Sequence, residues 1–274
     1  MEGKLIVVGT PIGNLSDFSP RAIKTLKTCD FIAAEDTRVT IKLLNHFRIK
    51  KPMVSYYEHN KIERGDMICT RIQAGETCVL VSDAGMPAIS DPGQLLVAQC
   101  AQRGIPVYVV PGPTAVISAL AVAGLPTGRF TFEGFLSMNK KGRKEHLEEV
   151  KHERRTMVFY EAPHKLSATL NDMLEAWGDR NIVIVRELTK IHEEIIRTTL
   201  QEAAQRYEQA IVKGELVLVI EGASEQNETI PTVEEAAQRA KVYMEEGLSA
   251  SEAAKKAAKE TSCKKGEIYR LLNS

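Results

Sequence analysis

Glu35-Asp36-x-Arg38, Glu161-x-x-His164 and Arg186-Glu187-x-x-Lys190 each stand at or just after the end of a short apolar run in this 274-residue chain. Carboxylates, an imidazole and cations grouped in this way can accept a proton from a weak nucleophile or stabilise a developing oxyanion. The same groups also make local ion pairs and helix caps, and type and spacing alone favour neither use. Position singles them out, because residues just after strands lie near the edge where an α/β sheet meets its ligand.

The elements that must position them are legible from the apolar runs. LIVVGTPIGNL (Leu5 to Leu15), CVLVSDAGMPAISDPG (Cys78 to Gly93) and VYVVPGPTA (Val107 to Ala115) each pair a run too short for a helix with a glycine- and proline-rich turn. Such runs read as buried strands, and glycine lets the backbone at their ends approach a ligand closely. The first turn is neither GxGxxG nor GxxxxGK[ST], which argues against a dinucleotide or nucleoside triphosphate. Three such turns on one sheet edge favour a ligand cradle over three unrelated turns.

Composition bounds the function classes. With 43% hydrophobic residues the chain can bury one large core or two smaller ones, and 36 basic against 36 acidic side chains leave no global field for a polyanion or a membrane. A nucleic-acid partner must therefore be held by a local patch. Cys29, Cys69, Cys78, Cys100 and Cys263 form no CxxC pair and have no histidine at metal-ligand spacing, so neither a zinc site nor a disulfide framework is expected. No leader pattern precedes the first strand and no apolar run approaches membrane-spanning length, so the expected location is the cytoplasm.

Residues 1–125 alternate strands with helices, which implies an α/β domain with a parallel sheet. Leu5 to Val8, Phe31 to Ala34, Val79 to Val81 and Val107 to Val110 are its strands; Ser19-Pro20 starts a helix through Leu26, and a helix from Thr114 ends at Ala123 before Gly124. Residues 126–228 form a second α/β domain, with strands Phe130 to Phe135, Thr156 to Tyr160, Ile182 to Arg186 and Glu215 to Ile220 and a charged helix over Asn139 to Arg155. A polar linker, Glu221 to Ile230, precedes a helical unit within 229–274. There Thr232-x-x-Glu235 and Ser249-x-x-Glu252 are capping boxes, an alanine stripe runs from Ala250 to Ala258, and a turn at Thr261 to Cys263 leads to a last helix carrying Ile268, Leu271 and Leu272. Three short helices with a tight final connection suggest a helix-turn-helix-like unit.

GTPIGNLxDxSxRA, AAEDTR, SDAGMPAISDPG, VPGPTA, FxGF (Phe132 to Phe135), YEAPHK and REL-x-K occur in the order characteristic of the tetrapyrrole methylase superfamily. Over nearly the whole chain they most closely resemble its ribosomal RNA branch, the small subunit methyltransferase I family. The resemblance implies two α/β domains with a donor cleft between them, usually in a homodimer. It also implies S-adenosylmethionine as methyl donor and the ribose 2'-hydroxyl of a cytidine in the decoding region of 16S rRNA as acceptor. Carried over by position, it places Pro11, Asp83, Ala84, Gly85, Ser90, Thr114 and Ala115 around the donor, with Phe159, Tyr160 and Glu187 lining it from the second half. A ribose hydroxyl is a weak nucleophile, so Glu35, Asp36, Arg38, Glu161, His164, Arg186, Glu187 and Lys190 together are the candidates for proton acceptance or oxyanion stabilisation.

The RNA or small-subunit partner needs cations. Lys140, Lys141, Arg143, Lys144, Lys151, Arg154 and Arg155, with Lys255, Lys256 and Lys259 of the tail, are candidate phosphate contacts, although such a charge run also describes a solvated helix face. The tail is nearly charge-balanced, so DNA is not an expected partner. Two other readings stay open at this level: a C-methyltransferase of the same fold acting on a porphyrin-like molecule, and a non-catalytic RNA-binding assembly factor with a vestigial pocket.

Overall fold

A computed structural model describes residues 2–224, 232–245, 247–261 and 263–272. It divides into two compact units, Met1–Gly222 and Ala223–Ser274. In the first unit, β1 (Lys4–Val8), β2 (Phe31–Ala34), β3 (Met53–Ser55), β4 (Thr77–Val81) and β5 (Val107–Val110) form a wholly parallel sheet of order β3-β2-β4-β1-β5. Successive strand residues face opposite ways. Phe31 and Ala33 therefore join Ile68, Ile72 and Leu96 from α3 (Lys61–Gln73) and α4 (Gly93–Gln102). Ile32 and Ala34 join Ala22, Leu26 and Leu44 from α1 (Pro20–Thr28) and α2 (Thr37–His46) on the other face. Burial on both faces explains the uninterrupted apolar run FIAA.

The adjacent strands β1 and β4 lead to helices on opposite faces, α1 and α4, so the direction of winding reverses between them at the carboxyl edge. This is a topological switch point, the usual ligand position in an open α/β sheet.

The second sheet, of order β6-β7-β10-β8-β9, contains β6 (Phe130–Phe135), β7 (Thr156–Glu161), β8 (Asn181–Arg186), β9 (Glu194–Thr199) and β10 (Leu216–Ile220). It is mixed: β6 and β7 run parallel, and the other neighbours pair antiparallel. α6 (Lys140–Glu149), α7 (Leu166–Trp177) and α8 (Leu200–Tyr207) cover one face, where Leu147, Leu170, Trp177 and Ala203 pack together. The opposite face receives α5 (Ala115–Ala123), which leaves β5 of the first sheet and buries Val116, Ala119 and Leu120 against Val158, Val183, Val217 and Val219. One helix thus joins the two sheets into a single packed unit.

Local signals mark most boundaries. The Ser19 hydroxyl accepts from the Ala22 N–H with Pro20 at the first helical position, Thr114 caps α5, and Gly124 ends it with φ +77°. In the first unit two helix ends differ from expectation. α1 continues two residues past Leu26 to Thr28. The charged helix stops at Glu149, because Glu153 grips the Arg155 N–H and guanidinium and turns the chain toward β7.

In the second unit, α9 (Val233–Glu245), α10 (Ala250–Thr261) and α11 (Lys265–Leu272) pack through Ala236, Ala240, Ala253, Ala254, Ala257 and Ile268. Both capping boxes form, each side-chain oxygen and each glutamate reciprocally bonded. Thr261 belongs to α10, its hydroxyl donating to the Ala257 carbonyl, so the expected turn begins later. Most of the expected linker and Ser262 lie outside the described residues. No helix among the described residues is long and apolar enough to cross a membrane.

Candidate functional site

The three glycine- and proline-rich turns meet at the carboxyl edge of the first sheet. Thr10 and Gly85 form an antiparallel bridge, with the Thr10 N–H donating to Gly85 (2.9 Å) and the Gly85 N–H donating back (3.1 Å). The third turn is locked in by Met86, whose Sδ accepts from the Gly112 N–H at 3.2 Å. Gly9 and Gly112 pass backbone to backbone: a Cβ on Gly112 would sit 2.8 Å from three backbone atoms of Gly9. Gly85, at φ +83°, stands between Ile12 and the Pro113 carbonyl. Pro11 is half-buried, Asp83 and Ala84 are exposed on the rim, and Thr114 spends its hydroxyl on the N–H of Ile117.

Strain concentrates in the second turn, where Ala88 and Ser90 take φ +69° and +62°. The Asp91 Oδ1 accepts from both the Ala88 and Gly93 N–H groups, at 2.9 and 2.7 Å, and holds that backbone in place. Burial pushes the Asp91 carboxyl above its ordinary range. An asparagine offers the same oxygen. We expect Asp91→Asn to keep the fold and Asp91→Ala to cost roughly 1–3 kcal/mol by stranding two N–H groups. Thermal denaturation of the pair checks this; equal losses would contradict it.

Glu35 and Asp36 sit at the end of β2, facing the turn after β4. The Asp36 N–H donates to Asp83 Oδ1 (3.0 Å), and the Asp83 N–H donates to Glu35 Oε2 (3.4 Å). The two acids differ sharply. Asp36 is chelated by Arg38 at 2.6–3.1 Å and caps α2, and those hydrogen bonds hold its carboxyl down at about 2. Burial, and then the negative charge of Asp83, pushes the Glu35 carboxyl up. Neighbouring carboxylates driven apart in this way divide proton-transfer from electrostatic roles. A cavity of about 470 Å³ opens beside Glu35, lined also by Glu58, Lys61, Ser90 and Asp91.

The second sheet supplies a wall. Tyr160 lies on the α5 face, its ring centroid 5.0 Å from Phe132 and 5.4 Å from Phe135. Phe159, one residue earlier, corrects the expectation of a lining role: it is 1% exposed and packs against Trp177 (6.0 Å) beneath the helices. Glu161 is likewise internal, accepting from the Ala162 N–H and the Thr169 hydroxyl, so its chemistry is structural. His164 is exposed on the short turn after β7.

Arg186, Glu187 and Lys190 brace the β8–β9 turn. Arg186 donates to Glu194 (2.8 Å) and the Lys213 carbonyl (3.0 Å), while Lys190 pairs with Glu187 (2.8 Å) and Glu215 (3.0 Å). This turn carries Glu187 and Thr189 at φ +51° and +66°, and it abuts Gly13 of the first turn, whose Cβ would lie 2.5 Å from Lys190 Cγ. The Thr189 Oγ1 is buried there without a partner.

Among the candidate phosphate contacts, Lys140 and Lys141 are exposed and Lys144 pairs with Glu175 (3.0 Å) at the surface. Arg143 departs from expectation, since Asp172 holds it at 2.5 Å with both side chains mostly buried, whereas Arg155 pairs with Glu153 at 2.5 Å and keeps much of its side chain at the surface. Arg154 is exposed. In the second unit Lys255, Lys256 and Lys259 are exposed, with Lys256 over the Tyr243 ring at 3.8 Å. Met86, Asp91 and Phe135 are site features that sequence reading missed; only the FxGF string hinted at the last. Among the described residues no group of three or more histidine, cysteine, aspartate or glutamate side chains could hold a metal.

The cradle fits the expected donor. Glycines at 9, 85 and 112 let the three turns close on one another, the rim residues Pro11, Asp83 and Ala84 stay at least partly accessible, and Tyr160 with Phe132 supplies an aromatic wall, a combination of backbone rim and apolar wall that suits an amino-acid and purine ligand.

Comparison with known proteins agrees. Residues 4–204 match the family model Tetrapyrrole (Corrin/Porphyrin) Methylases. A protein from Synechocystis sp. named ribosomal RNA small subunit methyltransferase I is 46% identical over 98% of this chain and 97% of its own length. Its namesake from Bacillus subtilis is 44% identical over 97% and 93%. Among solved structures, cobalt precorrin-4 methyltransferase superposes with TM-score 0.57 at 20% identity, over 79% of this chain and 94% of its own. A Thermus thermophilus uroporphyrin-III C-methyltransferase complexed with S-adenyl homocysteine gives 0.56 at 21% identity, over 79% and 97%.

Proposed function

The chain belongs to the tetrapyrrole methylase family, and from that membership we propose that it is an S-adenosylmethionine-dependent methyltransferase acting on the ribose 2'-hydroxyl of a cytidine in 16S rRNA. The observation that carries the RNA substrate is the 46% identity, over almost the full length of both chains, to a protein named for small-subunit ribosomal RNA. The neighbours named for cobalt precorrin-4 and uroporphyrin-III share the fold at 20–21% identity.

When bound, the donor supplies a sulfonium methyl that passes to the attacking oxygen as the sulfur–carbon bond breaks. The turns at Pro11, Asp83 to Gly85 and Thr114-Ala115 fix its position, and Tyr160 with Phe132 keeps water from that side. Orientation of this kind lowers the barrier by several kcal/mol. Glu35, the less acidic of the two neighbouring carboxyls, takes the hydroxyl proton. Asp36 and Arg38 stay locked to each other and set the geometry of the β2 turn.

The test is transfer of labelled methyl from S-adenosylmethionine to unmodified small subunits, run beside a uroporphyrinogen acceptor. Label in RNA alone supports the reading. Label in the porphyrinogen alone would contradict it.

The working form is a cytoplasmic homodimer. β5 is an edge strand whose Val107, Tyr108 and Val109 stay 36%, 57% and 57% exposed, an apolar strip suited to burial against a second copy. We expect Tyr108→Glu to sediment as a monomer. A dimer persisting in that variant would place the interface elsewhere.

A further inference from the structure

β6 is broken near its end. Its register against β7 shifts between Phe132 and Gly134, and Gly134 takes φ +66°. A bulge bends a strand and re-aims the side chain that follows. Here that side chain is Phe135, which touches Tyr160 at 5.4 Å between centroids yet remains 59% exposed. A Cβ on Gly134 would lie 3.8 Å from Ser90 Oγ, so the bulge that precedes Phe135 lies beside the strained turn after β4, whose Ser90 also lines the Glu35 cavity.

The surface beyond the ring has a definite chemistry. Met138 is 80% exposed, and three exposed lysines follow on α6: Lys140, Lys141 near Glu145 (3.8 Å) and Lys144 paired with Glu175 (3.0 Å). Tyr160 continues inward toward Val116 at the start of α5, the side of the donor cradle. Phe135 instead stays exposed at the end of β6, a few residues ahead of Met138 and the first lysines of α6. A methyl donor with its own positive sulfonium gains nothing from three lysines, whereas a single nucleic-acid strand needs an aromatic face for a base and cations for its phosphates.

We propose that Phe135 is the platform on which the base of the target nucleotide stacks once it leaves its neighbours, with Lys140 and Lys141 taking adjacent phosphates. The stack brings the nucleotide's ribose against the rim formed by Ser90 and Glu35. Phe135 is a positioning residue: it holds the nucleoside and takes no part in the bond changes. The bulge at Gly134 exists on this reading to turn that ring out of the sheet.

The proposal rests on the RNA-methylation reading above. The experiment uses the full chain and unmodified small subunits, with Phe135→Ala, Phe135→Trp and Phe135→Leu compared for kcat, KM, donor affinity by calorimetry and thermal stability. Loss of one stacked base predicts that F135A lowers kcat/KM for small subunits about 10- to 100-fold. Donor affinity and melting temperature should stay at wild-type values, F135W should restore turnover, and F135L should not. Loss of donor affinity in F135A would assign the ring to the donor pocket and overturn the proposal. Rescue by leucine as complete as by tryptophan would do the same, since it reports generic packing. Normal kinetics in F135A would overturn this proposal alone, while wild-type protein that labels no RNA would overturn the underlying reading and this proposal with it.

Discussion

A Gly112→Ala variant is expected to lose about a hundredfold in affinity for S-adenosylmethionine. The cause is backbone against backbone. The new Cβ would stand 2.8 Å from Cα, C and O of Gly9, well inside the separation of about 3.5–4.0 Å at which carbon atoms rest. No rotamer relieves that contact, and Gly9 cannot retreat while its N–H is bonded to the Val110 carbonyl (3.1 Å) and the next residue, Thr10, is bridged to Gly85 (2.9 Å). The turns must part by roughly an ångström, and a donor that loses two of its hydrogen bonds to them, about 2–3 kcal/mol, binds about two orders of magnitude more weakly. Overpacking of this kind also costs about 1–3 kcal/mol of stability. Gly128→Ala is the control, because nothing lies within 4 Å of its Cβ position. Calorimetry and thermal melts on both variants check the expectation; wild-type donor affinity in G112A would mean that the crossing is not part of the cradle.

The second large effect falls on the rate. Glu35→Gln should lower kcat by about 10²–10⁴ while donor affinity stays near that of the wild type. The sign of the pH dependence follows from the raised carboxyl. Above that raised pKa Glu35 is ionised and able to take a proton; as pH falls through it the base is protonated and the rate drops. The fall should therefore begin at higher pH than for an ordinary glutamate, and E35Q should lack it. Asp36, held at about 2 by Arg38, stays ionised through that window and cannot generate the profile. A kcat/KM profile for E35Q with an unchanged acidic limb would move the proton to another group.

Sequence reading succeeded where local chemistry decides. Phe31 to Ala34 is apolar throughout because both faces are covered, Ser19-Pro20 caps a helix within one turn, and the two capping boxes close on themselves. It faltered where the deciding partner is distant. Nothing near Arg143 announces Asp172 on α7, so a cation committed to an ion pair read as a phosphate contact. Phe159 and Tyr160 show the same limit: alternation says that they face opposite ways, and only α5 on one side and Trp177 on the other say which is which. β3 has only three residues, and the antiparallel pairings of β10 join segments far apart in the chain. The cradle turns were visible as turns. Their mutual contacts, Thr10 with Gly85 and Met86 with Gly112, required the fold.

The most direct test of the whole account is the chemical position of the transferred methyl. Unmodified small subunits are incubated with the protein and labelled S-adenosylmethionine, the RNA is digested to nucleosides, and the products are separated. The account predicts that the label elutes as 2'-O-methylcytidine. Label on a base, or RNA free of label while the donor binds normally, would contradict it.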